Sequence, residues 1–139
     1  MYGEIRRGNN VFAQNPGFQV YNVPFATWDA NLATFDADQA TACAARTTTG
    51  FDYTGLQYYR SGVVWTAWYT HTAQPNHKGP DCVRASGLNR GHVAARSAHS
   101  GGVNLVRCDG SVAFYRDSIP IQIWRALGTK GGGEPVSNE

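Results

Sequence analysis

No stretch of this sequence approaches the roughly 18 consecutive apolar residues that cross a bilayer, and residues 1–7 hold no apolar core of the kind a secretory signal needs. The abrupt start, with strand-like alternation from residue 2, leads us to expect a longer protein entered partway. Charge of one sign is scarce too: 12 Lys and Arg stand against 10 Asp and Glu, a formal net charge of +2, with neither a basic run nor an acidic tail. Without such a field nothing draws phosphate in over a distance, so nucleic acid is not an expected partner. Cysteine is sparse and odd in number, with Cys43, Cys82 and Cys108. That is far below a disulfide scaffold and leaves room for one bridge and one buried thiol. If Cys43 and Cys82 were joined, for example, the bond would close a loop of about 40 residues and remove roughly 4 kcal/mol of unfolded-state freedom. A bridge of this kind fits an oxidising compartment. Also missing are the phosphate-loop and dinucleotide glycine patterns, the Gly-x-Ser-x-Gly elbow and any Cys-x-x-Cys pair.

What is present is enough for a core. The 139 residues are the length of one domain, 42% of them are apolar and 12% aromatic, and a chain of this size buries about two thirds of the surface it exposes when unfolded. We expect one globular domain over 1–129 and a flexible polar tail over 130–139. Sixteen Gly and 6 Pro punctuate the chain too often for long helices, so the expected fold class is α+β, mainly β, with an antiparallel sheet and one or two short helices. Residues 2–7, 18–23 and 63–69 are rich in aromatic and β-branched side chains and read as strands. An Ala-rich stretch, 37–46, reads as a short helix capped by Asp36 and carrying Cys43. Residues 70–99 string together Pro75, Asn76, Gly79, Pro80, Gly87, Asn89 and Gly91 with few apolar residues, which predicts a long irregular surface excursion.

The clearest local signal lies at 102–116, a central β-hairpin. Asp109-Gly110 is the pair favoured in a two-residue type I′ turn, which sets Cys108 against Ser111, Arg107 against Val112 and Leu105 against Phe114. One face then carries Leu105, Val112 and Phe114 and the other Val106, Cys108 and Ala113; both are apolar, which argues for a strand pair in the middle of the fold. Next, Ser118 reads as a helix cap with Pro120 in the first turn and Gly128 as the stop. Ile121, Trp124 and Leu127 recur every three residues and give that helix one apolar side.

Nine residues separate His99 from Asp109-Gly110. With Gly101-Gly102-Val103-Asn104, Asp109-Gly110-Ser111-Val112, Asp117-Ser118-Ile119 and Trp124-Arg125-Ala126-Leu127-Gly128-Thr129, the chain resembles the prepilin-type, pseudopilin-like proteins of domain of unknown function 1559. Their C-terminal domain is named for His, nine residues, then Asp-Gly. The likeness is specific over 97–134 and suggestive over 1–96. It implies a pilin-like fold, a globular head whose family members open with a prepilin leader and an apolar helix that anchors them in the inner membrane, and a cell-envelope location, periplasmic or extracellular. It implies further that Cys43 and Cys82 form the family's paired cysteines, that Cys108 stays reduced, and that partners are other pseudopilin or pilin subunits or secreted cargo. Membrane contact would run only through an N-terminal helix absent from this chain.

Set against this are the chemical readings. His99 and Asp109 look like a base and its orienting carboxylate. An extended strand between them, at about 3.3 Å per residue, sets the side chains roughly 20 Å apart, too far to share a proton. Asp109 and Gly110 then serve the turn, and His99 anchors the entering loop by hydrogen bonds to backbone or, with Arg96 and Ser97, meets a partner. Ser97 and Ser100 flank His99 without a nucleophile motif, and Cys108, in a strand, acts as a small apolar group. His71, His77, His92 and His99 surround Cys82 at spacings that match no compact zinc site. Asp36, Asp38, Asp52 and Asp81 have calcium-binding chemistry but no EF-hand pattern. No metal and no cofactor are assigned. Among the aromatic residues, Tyr58, Tyr59, Trp65 and Trp68 are candidate ligand contacts in a carbohydrate- or surface-binding module, although Trp65 or Trp68 in a β domain is more simply core. The sequence thus points first to a non-enzymatic pseudopilin-like head of a type II secretion or pilus-related protein, second to a glycan-binding adhesive module, and third to a metal-dependent hydrolase.

Overall fold

A computed structural model of the chain describes residues 2–6, 20–23, 43, 50–51, 69–84 and 91–131. Among the described residues seven short strands, β1 (Tyr2–Gly3), β2 (Val20–Val23), β3 (Gly50–Phe51), β4 (Asp81–Arg84), β5 (Gly91–His92), β6 (Gly102–Val106) and β7 (Val112–Arg116), precede one helix, α1 (Ile121–Leu127). The architecture is α+β and mainly β. One sheet has the order β1-β6-β7, antiparallel throughout; the other runs β3-β2-β4-β5, with β2 and β4 parallel and the remaining pairs antiparallel.

The core of the first sheet is made by Ala95, Val103, Leu105, Tyr115 and Trp124, with Tyr69, Ala113, Ile119, Ile121 and Leu127 packed around it. Trp124 is fully buried and meets Tyr115 edge-on with ring centroids 6.0 Å apart. The spacing of Ile121, Trp124 and Leu127 therefore aims α1 at the sheet as the sequence predicts. Its start differs from expectation. The cap position is Pro120, not Ser118, and no side chain caps the helix; the first-turn bond is Trp124 N–H to Pro120 O at 3.0 Å. Proline supplies the fixed φ that enters a helix, so a side-chain cap is not required. Gly128 ends the helix, as predicted.

The hairpin forms, but with a different turn. Val106 pairs with Val112, Leu105 with Ala113 and Val103 with Tyr115, one residue out of the predicted register. Gly110 has φ +83° while Asp109 does not adopt positive φ. The Gly110 N–H donates to Arg107 O and the Arg107 N–H to Ser111 O, which is a three-residue loop with a left-handed glycine bulge instead of a type I′ pair. A slip of one residue moves every side chain of a strand to the opposite face. Leu105 and Val103 thus share the buried face with Ala113 and Tyr115, while Val112 and Phe114 are 64% and 49% exposed. The expectation of two buried faces is corrected accordingly. Gly102 is needed because a Cβ there would run into the Tyr115 backbone oxygen, with the Phe114 ring 2.6 Å away as well.

Residues 70–99 are the larger correction. The segment holds β4 and β5, and Ala73, Pro75, Asp81, Cys82, Val83 and 92–96 are buried. Apart from the two strands its described residues, 70–84 and 91–99, are irregular as predicted, but much of their length is buried and is not a surface excursion. The strands expected over 2–7 and 18–23 are shorter, at Tyr2–Gly3 and Val20–Val23. Of the strand expected over 63–69, only Tyr69 falls among the described residues, and it is irregular, its ring stacked on Trp124 at 6.3 Å. The helix over 37–46 lies outside the described residues apart from Cys43, as does the tail beyond Gly131.

Candidate functional site

The signature region is built on a buried clamp. The apolar run Val93-Ala94-Ala95 carries the chain through the interior and delivers Arg96 to Asp81, at the start of β4. Arg96 Nε donates to Asp81 Oδ2 at 2.9 Å and Nη2 to Oδ1 at 2.8 Å, a two-pronged ion pair with the residues only 8% and 7% exposed. The remaining guanidinium directions reach His77 O at 2.6 Å and Gly79 O at 2.9 Å, and the Ala94 N–H donates to Asp81 Oδ1 at 3.0 Å. A buried charge pair is tolerable only when its other lone pairs and protons are satisfied in this way. Asn76, at φ 52°, extends the clamp. Its amide donates to Asp117 Oδ1 at 2.7 Å and its Oδ1 accepts the Ser97 N–H at 2.9 Å. The loop before β4, the segment entering β6 and the turn after β7 are thereby fixed together.

His99 sits on the exposed rim of this arrangement. Its Nε2 lies 3.1 Å from Glu4 Oε1, so the expected backbone anchor is corrected to a carboxylate partner. Only its own N–H bonds locally, to Ser97 Oγ at 3.0 Å. Glu4 Oε2 accepts the Asn104 N–H at 2.9 Å and Oε1 the Asn104 amide at 3.2 Å. Burial alone would raise the Glu4 pKa, but the hydrogen bonds from Asn104 and Ser97 and the neighbouring His99 outweigh it and hold the carboxyl below its ordinary value. Glu4, Ile5, Arg6, Arg96, Ser97, Ala98 and His99 line an open groove of about 390 Å³.

Asp109 lies at the far end of β6. Its Oδ1 accepts the Ser111 N–H at 2.9 Å and the Ser111 hydroxyl at 2.7 Å, and these bonds hold its carboxyl below the ordinary value. The structure therefore does not bring His99 and Asp109 together: each has its own partner, at opposite ends of the strand. Arg107 Nε donates to the Tyr115 hydroxyl at 2.9 Å, bracing the turn against the core.

Cys43 and Cys82 are joined, both fully buried, with Cα atoms 5.7 Å apart. Cys82 is in β4, beside the clamp, so the covalent tie and the ion pair fix the same strand. The bridge suits an oxidising, non-cytoplasmic compartment. Cys108 lies outside the bridge and, contrary to the strand-buried reading, is exposed in the turn because the loop is longer than a two-residue one. Of the histidines, His71 packs on Trp124 at 4.3 Å and its Nδ1 meets Trp124 O at 2.7 Å, and His92 is buried in β5. Among the described residues no three His, Cys, Asp or Glu side chains gather as a metal site, and no helix is long and apolar enough to cross a membrane. Tyr58, Tyr59, Trp65 and Trp68, with Asp36, Asp38 and Asp52, lie outside the described residues; Asp81 is engaged by Arg96. The clamp residues Arg96, Asp81 and Asn76 and the His99 partner Glu4 were not singled out together from sequence. The available signal was a cation directly following the apolar run 93–95.

Fold and site define a class: a small, mainly β, disulfide-bonded domain whose polar signature holds a hairpin and its entry loop. The chain belongs to the family described as Protein of unknown function (DUF1559), which matches residues 6–122 and so includes His99, Asp109 and Gly110. No curated protein and no solved structure matches the chain.

Proposed function

We propose that this chain is the non-enzymatic globular head of a pseudopilin-like cell-envelope protein, related to type II secretion or pilus assembly, and that it works through contacts with neighbouring subunits or exported cargo. The observation that carries this reading is the use made of the signature. Asp109 and Gly110 form a turn, His99 ties to Glu4, and the buried ion pair of Arg96 with Asp81 has its valences filled by backbone. Groups arranged for chemistry would bring His99 and Asp109 into one cleft, and they stand at opposite ends of β6. Membership of the DUF1559 family and the buried Cys43–Cys82 bridge support an exported, periplasmic or extracellular head.

The test is mass mapping of the natural gene product from fractionated cells, without reductant. The reading predicts an envelope protein with Cys43 and Cys82 linked and with a prepilin-type processed N-terminus followed by an apolar helix. A cytoplasmic product with both cysteines alkylatable would overturn it.

A further inference from the structure

The outer edge of β7 is the feature that the family signature leaves unused. β7 is the terminal strand of its sheet, and among the described residues no strand pairs with its other side. Antiparallel ladders alternate between residues whose backbone groups face the partner strand and residues whose groups face away. The bonds Arg107 N–H to Ser111 O and Asp117 N–H to Gly101 O fix that alternation at both ends of the hairpin. Ala113 and Tyr115 therefore direct their backbone groups at β6, and Val112, Phe114 and Arg116 direct theirs outward. The same three residues are the exposed ones. Proteins usually protect such an edge with lysine, proline, a bulge or a covering loop; within Val112–Arg116 the single charge is Arg116, and it stands at the end.

We propose that two copies of the chain pair through their β7 edges, antiparallel, with Phe114 on the two-fold axis. This is the one antiparallel register in which all three outward residues of each strand are used: Phe114 faces Phe114 of the second copy, and Val112 faces Arg116. Charge selects the same orientation. β7 has an exposed carboxylate, Asp109, beyond its first end and an exposed guanidinium, Arg116, at its last, while the neighbouring Arg107 and Asp117 are bonded to Tyr115 and Asn76, so antiparallel pairing brings Arg116 of each strand toward Asp109 of the other. Parallel pairing would set like charges side by side. Arg116 O already accepts the Ile119 N–H at 3.1 Å and contributes its second lone pair. The product is a continuous sheet in the order β1-β6-β7-β7-β6-β1. Such a contact closes on itself and does not propagate a filament, so the inference stands or falls separately from the proposed function.

The contact is a five-residue ribbon, smaller than the roughly 1,200 Å² of a stable interface. Sedimentation velocity on the 139-residue protein should therefore show a monomer at about 1 μM and a rising dimer fraction toward about 1 mM, and V112K/F114K should stay monomeric across that range. Because the lysine variant can alter the fold, a second measurement decides the register. In a C108S background under mild oxidation, F114C should cross-link to itself at least about five-fold faster than R116C, since antiparallel pairing at Phe114 leaves the two 116 positions about 13 Å apart along the strands. A protein that is monomeric throughout, a lysine variant that dimerises like the parent, or equal cross-linking at 114 and 116 would overturn the proposal.

Discussion

The signature region holds its polar groups in two opposite ways. At the clamp, Arg96 and Asp81 are withdrawn from water and meet in two hydrogen bonds, with backbone oxygens and an N–H filling the remaining directions. At the rim and the turn, His99 with Glu4 and Asp109 with Ser111 make bonds of similar length in contact with solvent. The lesson is that length does not rank these interactions. Breaking a buried pair strands an uncompensated charge in a low dielectric, whereas breaking an exposed one returns both groups to water.

The comparison can be broken first at the clamp. Arg96→Met leaves Asp81 buried without its partner, and urea unfolding should show a loss of about 3–5 kcal/mol. Next in size is the covalent tie on the same strand: Cys43→Ser with Cys82→Ser should lower stability by about 2–4 kcal/mol, measured in the same way. At the turn, Gly110→Ala forces a Cβ into φ +83° and should cost about 1–2 kcal/mol with the sheet otherwise intact by circular dichroism. At the rim, His99→Ala removes a partner that is 61% exposed in its side chain, and the change in unfolding free energy should be under about 1 kcal/mol.

The smallest effect is a pH slope. Burial holds His71 below its ordinary value of 6.5, against the opposing hydrogen bond to Trp124 O. With the folded value depressed, the unfolded chain takes up a proton first as pH falls. His71 thus contributes stability that is fully present above about 6.5 and is lost as pH drops through the folded value. In His71→Asn that part of the slope should vanish in urea titrations over this range.

Local chemistry made the hairpin, the final helix and its buried face legible in the sequence, because a turn dipeptide, a proline and a threefold apolar spacing act over a few residues. Register was not legible. Asp109-Gly110 serves equally well in a two-residue turn and in a loop with a glycine bulge, and the difference moves Val112 and Phe114 from core to solvent. The burial of 69–84 and 91–96 was hidden for another reason. Its Gly, Pro and Asn residues read as loop, while the bonds that draw it inside join residues 15 to 26 apart or more, such as Arg96 to Asp81 and Asn76 to Gly102 and Asp117. The separation of His99 from Asp109 followed from strand length alone; the partner of His99, Glu4, is remote in sequence and left no local trace.

A double-mutant cycle across the clamp tests most directly whether these polar residues hold the fold together. Asp81→Asn, Arg96→Met and the double variant are unfolded in urea beside the parent protein. The account predicts a coupling of about 2–3 kcal/mol between the two positions. Additive losses, with a coupling below about 0.5 kcal/mol, would contradict it.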